Sequence, residues 1–159
     1  MPASPKIVDR TALRELVRKW RAAGEKIILT NGCFDVLHVG HIRYLQGAKA
    51  LAPRLIVAVN ADATVRSLKG EGRPRTPEHE RAEILAALED VDAVTIFNEP
   101  DVRPLIRDIK PDIHAKGTDY TEQTVPERDE VLAYGGRVAI VGDPKDHSST
   151  ALLDKWKKS

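Results

Sequence analysis

Apolar residues follow two alternating rhythms along this chain. From Thr11, the residues Leu13, Leu16, Val17 and Trp20 keep the i, i+3, i+4, i+7 spacing of a helix face, and Gly24 stands where a helix stop is expected. Ile27-Ile28-Leu29 is then a short apolar run suited to a buried strand. Ile42, Leu45, Ala48 and Leu51 recur on one face of a helix over residues 41–52, and Leu55-Ile56-Val57-Ala58-Val59 is a β-branched strand. Thr76-Pro77-Glu78 reads as a helix start, with a hydroxyl cap, a proline at the first turn and an acid near the positive end. Ile84, Leu85 and Leu88 carry that helix to about Asp90. The pattern continues as strand 93–97, short helix 101–109, weak strand 112–115, helix 124–133, strand 137–141 and closing helix 149–157. Residues 1–10 read as a loosely ordered lead-in. Residues 61–75 read as a long irregular connection, because Gly70, Gly72 and Pro74 interrupt any regular element, and such loops are often functional.

Strands that alternate with helices predict parallel pairing through helical crossovers. Strands that are apolar almost throughout predict a sheet covered on both faces. The expected class is therefore α/β, a Rossmann-like three-layer α/β/α sandwich with about five parallel strands. A length of 159 residues fits one domain over residues 1–159, and no internal repeat is visible.

Composition narrows the function classes. The 25 Lys+Arg and 24 Asp+Glu give a formal net charge of +1, which argues against an electrostatic nucleic-acid binder. Aromatic residues are only 4%, too few for base-stacking platforms. The single cysteine allows no intrachain disulfide and no cysteine-built zinc site, and it fits a reducing cytoplasm. Neither a signal peptide nor a membrane span is expected from the apolar runs.

The candidate chemistry lies in Thr30-Asn31-Gly32-Cys33-Phe34-Asp35-Val36-Leu37-His38-Val39-Gly40-His41, between the first strand and the next helix. Turns at the carboxyl ends of strands in such a sheet are where ligands bind. The stretch is neither the G-x-G-x-x-G fingerprint nor a P-loop. It offers two imidazoles, His38 and His41, flanking Gly40 at a helix N-terminus. The helix start favours phosphate, and imidazoles donate hydrogen bonds to phosphate oxygens. Each histidine alone reads as a surface or capping residue; the whole pattern points to stabilisation of a phosphoryl transition state. Lys69, Arg73 and Arg75 put cations on the long connection, where they read either as a solvated surface or as a closure over a triphosphate. Ser148, Ser149 and Thr150 are helix caps or phosphate ligands. Asp35 and Asp62 are turn residues, or carboxylates that orient Mg²⁺. Cys33 reads as a small loop residue, not a nucleophile. Trp20 and Trp156 read as packing residues on the terminal helices.

Asn31-Gly32-Cys33-Phe34-Asp35-Val36-Leu37-His38-Val39-Gly40-His41 resembles the H-x-G-H signature of the cytidylyltransferase-like nucleotidyltransferases. Within them the chain is most similar to the branch that adenylylates heptose 1-phosphate. Leu68-Lys69-Gly70 resembles that branch's loop lysine, Glu80-Arg81 its helix-opening arginine, Lys116-Gly117-Thr118-Asp119-Tyr120 its Lys-Gly-Gly-Asp-Tyr segment, and Ser148-Ser149-Thr150 its Ser-Thr-Thr helix start. Thr118 stands where glycine is frequent, which would narrow the nucleotide pocket. The resemblance implies the nucleotidylyltransferase fold and ATP with Mg²⁺, no metal being ligated directly by the protein. It implies a sugar-phosphate acceptor, a homodimer, and a separate sugar kinase in the pathway. The implied catalytic residues are His38, His41 and Lys69. The implied nucleotide or phosphate ligands are Asn31, Gly32, Cys33, Phe34, Gly40, Arg81, Lys116, Gly117, Asp119, Ser148, Ser149 and Thr150. Two alternatives stay open: a CTP-dependent enzyme acting on glycerol 3-phosphate or a related alcohol phosphate, and a non-catalytic nucleotide-binding regulatory module.

Overall fold

Ile27, Ile28 and Leu29 have no exposed surface, and they begin the strand at the centre of the sheet. The computed structural model describes residues 4–144 and 149–158, with no side-chain detail for 149–152 and 158. Its elements run α1 (Arg10–Ala22), β1 (Ile27–Gly32), α2 (Val39–Lys49), β2 (Arg54–Asn60), α3 (Asp62–Lys69), α4 (Glu78–Ala86), β3 (Ala93–Phe97), α5 (Arg103–Ile109), β4 (Ile113–Lys116), α6 (Arg128–Ala133), β5 (Arg137–Ile140) and α7 (Ser149–Lys158). The five strands form one parallel sheet in the order β3-β2-β1-β4-β5. The order reverses between β1 and β4, so their carboxyl ends open the crevice where ligands of doubly wound sheets bind.

Alternation of side chains across the strands divides the core in two. Ile28, Val57 and Val94 face one way and pack with Leu45, Ala82 and Leu85 of α2 and α4. Leu29, Ile56 and Ala93 face the other way and pack with Leu13, Trp20, Leu105 and Val131 of α1, α5 and α6. This is the three-layer sandwich expected from the sequence. Among the described residues no helix is long and apolar enough to cross a membrane.

Four local expectations are corrected. The lead-in is ordered from Lys6 to Val8: Val94 donates to the Lys6 carbonyl at 2.8 Å and Val8 to the Val94 carbonyl at 2.9 Å, so the segment joins the sheet beside β3. The connection 61–75 holds the helix α3, whose Val65 is fully buried; the irregular part starts only at Gly70, with φ of +93°. Thr76 does not cap α4; Pro77 occupies that position without a side-chain bond, and the proline's fixed φ suits it. Trp156 is exposed on α7, unlike the buried Trp20.

Candidate active site

β1 ends at Gly32, and the chain turns sharply because Phe34 adopts φ of +50°. The turn folds the Phe34 ring back over Gly32, where an added Cβ would stand 3.1 Å from the ring. Phe34 is buried and leans on the imidazole of His41, with ring centroids 5.4 Å apart. A side chain at position 32 would press on that ring, so glycine suits the return at the strand end.

His38 is the N-cap of α2, and its Nδ1 accepts the backbone N–H of Gly40 at 3.1 Å. His41, one turn on, accepts the backbone N–H of His38 on its own Nδ1 at 3.3 Å. The two form a capping box made of imidazoles, with rings stacked at 4.0 Å between centroids. An Nδ1 that accepts a hydrogen bond must be unprotonated in the neutral ring, so Nε2 carries the proton in both histidines. The cap thus sets tautomer and direction together, making each Nε2–H a donor at a helix N-terminus.

Two adjoining cavities open at this point. The first, of about 210 Å³, is lined by His38, Gly40, His41 and Tyr44 on one wall, and by Gly117, Thr118, Asp119 and residues 141–144 on the other. Thr118 does not simply narrow it: its hydroxyl donates to the Asp143 carbonyl at 2.8 Å and ties the two loops of that wall together. The second cavity, of about 190 Å³, is lined by Asn31, Gly32, Cys33, Phe34, Lys116 and Tyr120, and shares His41, Tyr44 and Gly117 with the first. Tyr44 escaped the sequence reading, although it lies one helical turn beyond His41. Its hydroxyl donates to the Ala115 carbonyl at 2.9 Å and fixes α2 against β4.

Three expected ligands have other work. Arg81 is 1% exposed. Its Nε donates to the Thr76 carbonyl, its Nη1 to the carbonyls of Cys33 and Asn60, and its Nη2 to Asp62, all within 2.7–2.9 Å. The side chain is a buried post joining the site loop, β2 and α4, and it lines neither cavity. Asp62 is its carboxylate partner. Asp35 has a fully buried side chain that accepts from Arg73 Nε at 2.5 Å and from the backbone N–H groups of Arg75 and Thr76 at 2.8 and 3.0 Å. Burial raises the Asp35 carboxyl, but those donors outweigh it and hold it below the ordinary 3.8. Asp35 therefore latches the 70–76 loop with both of its carboxylate oxygens. Arg73 is fixed by the same latch, while Lys69 and Arg75 are exposed.

Lys69 ends α3 and lines neither cavity. Its charge is felt at Cys33, where burial pushes the thiol up and Lys69, Arg81 and Arg73 only partly pull it back. A thiol so held is a poor nucleophile. Ser149 and Thr150 open α7, and Ser148 lies outside the described residues. No group of three His, Cys, Asp or Glu side chains converges among the described residues in a way that could hold a metal ion.

A family model described as cytidylyltransferase-like matches residues 29–154. The bifunctional protein HldE of Koribacter versatilis is 48% identical over 153 residues, 96% of this chain and 32% of its own length. That of Pelobacter propionicus is 47% identical over 150 residues, 94% of this chain and 31% of its own. The chain thus spans 31–32% of the length of these curated relatives. Among solved structures, the lipopolysaccharide core biosynthesis protein from Thermoplasma volcanium GSS1 superposes with a TM-score of 0.67 at 27% identity, covering 77% of this chain and 100% of that one.

Proposed function

The chain belongs to the cytidylyltransferase-like family of nucleotidyltransferases, and from that premise we propose that it transfers AMP from ATP to D-glycero-D-manno-heptose 1-phosphate, giving ADP-heptose and pyrophosphate. The observation that carries the reading is the imidazole capping box. It aims two Nε2–H donors at one helix N-terminus, beside a cavity walled by Gly117, Thr118 and Asp119. The choice of ATP and heptose rests on the resemblance of Lys116-Gly117-Thr118-Asp119-Tyr120 and Ser148-Ser149-Thr150 to the heptose 1-phosphate branch. The similarity to bifunctional HldE proteins and to a lipopolysaccharide core biosynthesis protein supports the same choice.

In this reaction an oxygen of the acceptor phosphate attacks the α-phosphorus, the new P–O bond forms, and the bond to the pyrophosphate oxygen breaks in line. The attacking oxygen is anionic near neutral pH, so no general base is needed. Catalysis then comes from positioning and charge stabilisation. His38 and His41 donate to oxygens of the α- and β-phosphates as negative charge shifts toward the leaving group. By the family resemblance Lys69 is assigned to the departing pyrophosphate and Ser149 and Thr150 to the triphosphate. Mg²⁺ accompanying ATP would supply charge neutralisation on the triphosphate; of the two candidate carboxylates, Asp35 is engaged by Arg73 and Asp62 by Arg81. A sugar kinase must act upstream to supply the 1-phosphate.

The deciding assay is pyrophosphate release with ATP, CTP, GTP and UTP, each crossed with heptose 1-phosphate, glycerol 3-phosphate and no acceptor. Release with ATP and heptose 1-phosphate alone is the expected result. Preference for CTP with glycerol 3-phosphate would replace the substrate pair. Nucleotide binding without release from any pair would make the domain a non-catalytic sensor.

A further inference from the structure

The second cavity has a floor that the transfer chemistry above leaves unused. Asn31, near the end of β1, and Lys116, the last residue of β4, both line it. Asn31 Oδ1 is buried and has no hydrogen-bond partner. The Lys116 ammonium sits 5.0 Å from the centroid of the Tyr120 ring, and among the described residues no carboxylate lies within ion-pair reach of it. Beneath it Glu127 is 5% exposed, and its carboxylate faces Nε2 of the fully buried His114 at 3.4 Å. Burial lowers the Lys116 ammonium, and Glu127 acts against that without touching it. Burial also keeps His114 neutral, so the negative charge of Glu127 is left to balance Lys116.

A largely buried cation with no anion in contact, beside an unpaired amide oxygen, suits a ligand carrying both negative charge and hydroxyl groups. The cavity shares His41 and Gly117 with the one assigned to the nucleotide, so an anion seated on Lys116 lies next to the reacting phosphate. We propose that this second cavity is the acceptor subsite for a phosphorylated polyol, with Lys116 receiving the phosphate and Asn31 a hydroxyl. Glu127 and His114 are positioning residues that keep Lys116 charged and fixed. The inference rests on the nucleotidyl-transfer reading and adds the place where the second substrate binds.

Steady-state kinetics of Lys116→Met test it. The acceptor KM is expected to rise about 10–100-fold, the loss of a charged hydrogen bond, with the ATP KM changed less than about threefold. Lys116→Arg restores part of the acceptor affinity. Glu127→Gln raises the acceptor KM in the same selective way and leaves the ATP KM in place, whereas a merely structural role would move both. A larger rise for ATP than for the acceptor in Lys116→Met would assign Lys116 to the nucleotide and overturn the proposal. A second measurement needs no turnover: inorganic phosphate is titrated into the labelled protein without nucleotide, and amide shifts are followed by NMR. Shifts at Asn31, Gly117 and Tyr120 that vanish in Lys116→Met support the subsite even when no sugar phosphate reacts, in which case the functional reading alone fails. Shifts confined to His38 and Gly40, or unchanged in the variant, overturn it.

Discussion

Arg81 has no exposed side-chain surface, and its guanidinium donates to four acceptors that surround it. Truncation to alanine leaves three carbonyls and the Asp62 carboxylate without their donor. Breaking such a buried pair costs about 3–5 kcal/mol, and the partial exposure of Asp62 puts the expectation near the lower end. Urea denaturation of Arg81→Ala checks this; a loss below about 1 kcal/mol would remove the arginine from its structural role. His41 is expected to behave in the opposite way. His41→Ala loses about 10²–10³ in turnover, the usual effect of deleting one preorganised donor, while a circular dichroism spectrum close to the parent's shows that the fold survives. Near-normal pyrophosphate release in that variant would sink the catalytic assignment. The difference explains what could be read beforehand. His38 and His41 were legible because their spacing around Gly40 sets a helix cap and a donor pair at once. Arg81 was not, because helical spacing cannot distinguish an arginine facing water from one facing a ring of carbonyls.

The same limit holds for whole elements. The strands β1, β2 and β3 lay close to their expected bounds because continuous apolar runs have few other ways to be buried. α3 was hidden by the glycines that follow it, although Val65 and Leu68 carry the helical spacing. Gly70 then ends α3 at φ of +93° and ψ of −178°, a conformation open in practice only to glycine. From there the chain returns to α4 over Asp35. The latch was illegible because its partners lie 38 to 41 residues away from Asp35. It gives an expectation for the element. Asp35→Ala frees Arg73 and the backbone of Arg75 and Thr76, so the 70–76 loop loses its anchor. Limited trypsin digestion should then cut after Lys69 and Arg75 far faster than in the parent, with the rest of the domain intact. Equal cleavage rates would show that the loop is held by something other than Asp35.

At the scale of the molecule, alternating helices and strands announced a covered parallel sheet, but not the strand order. Crossover lengths alone do not say on which side of β1 the chain resumes after β3. The reversal between β1 and β4 brings His41 of one half beside Lys116 of the other. It also builds the His114–Glu127 pair into the fold, and so ties stability to pH. Burial holds the His114 imidazole below its ordinary 6.5, so the unfolded chain takes up that proton more readily and stability falls as pH drops through 6.5. Burial pushes Glu127 up, but the His114 hydrogen bond and the Lys116 charge outweigh it and bring the carboxyl to about 2, from an ordinary 4.5. Its contribution is therefore complete above about 4.5 and lost as the pH falls toward about 2. Thermal unfolding should show two limbs: a decline in Tm between about pH 7 and 5, then a second decline below about 4.5. His114→Gln cannot titrate, so its first limb should flatten while the second persists. The comparison uses slopes, so a lower Tm of the variant at every pH leaves the test intact. Parallel slopes for parent and variant between pH 7 and 5 would show that His114 is not the group whose burial the fold sustains.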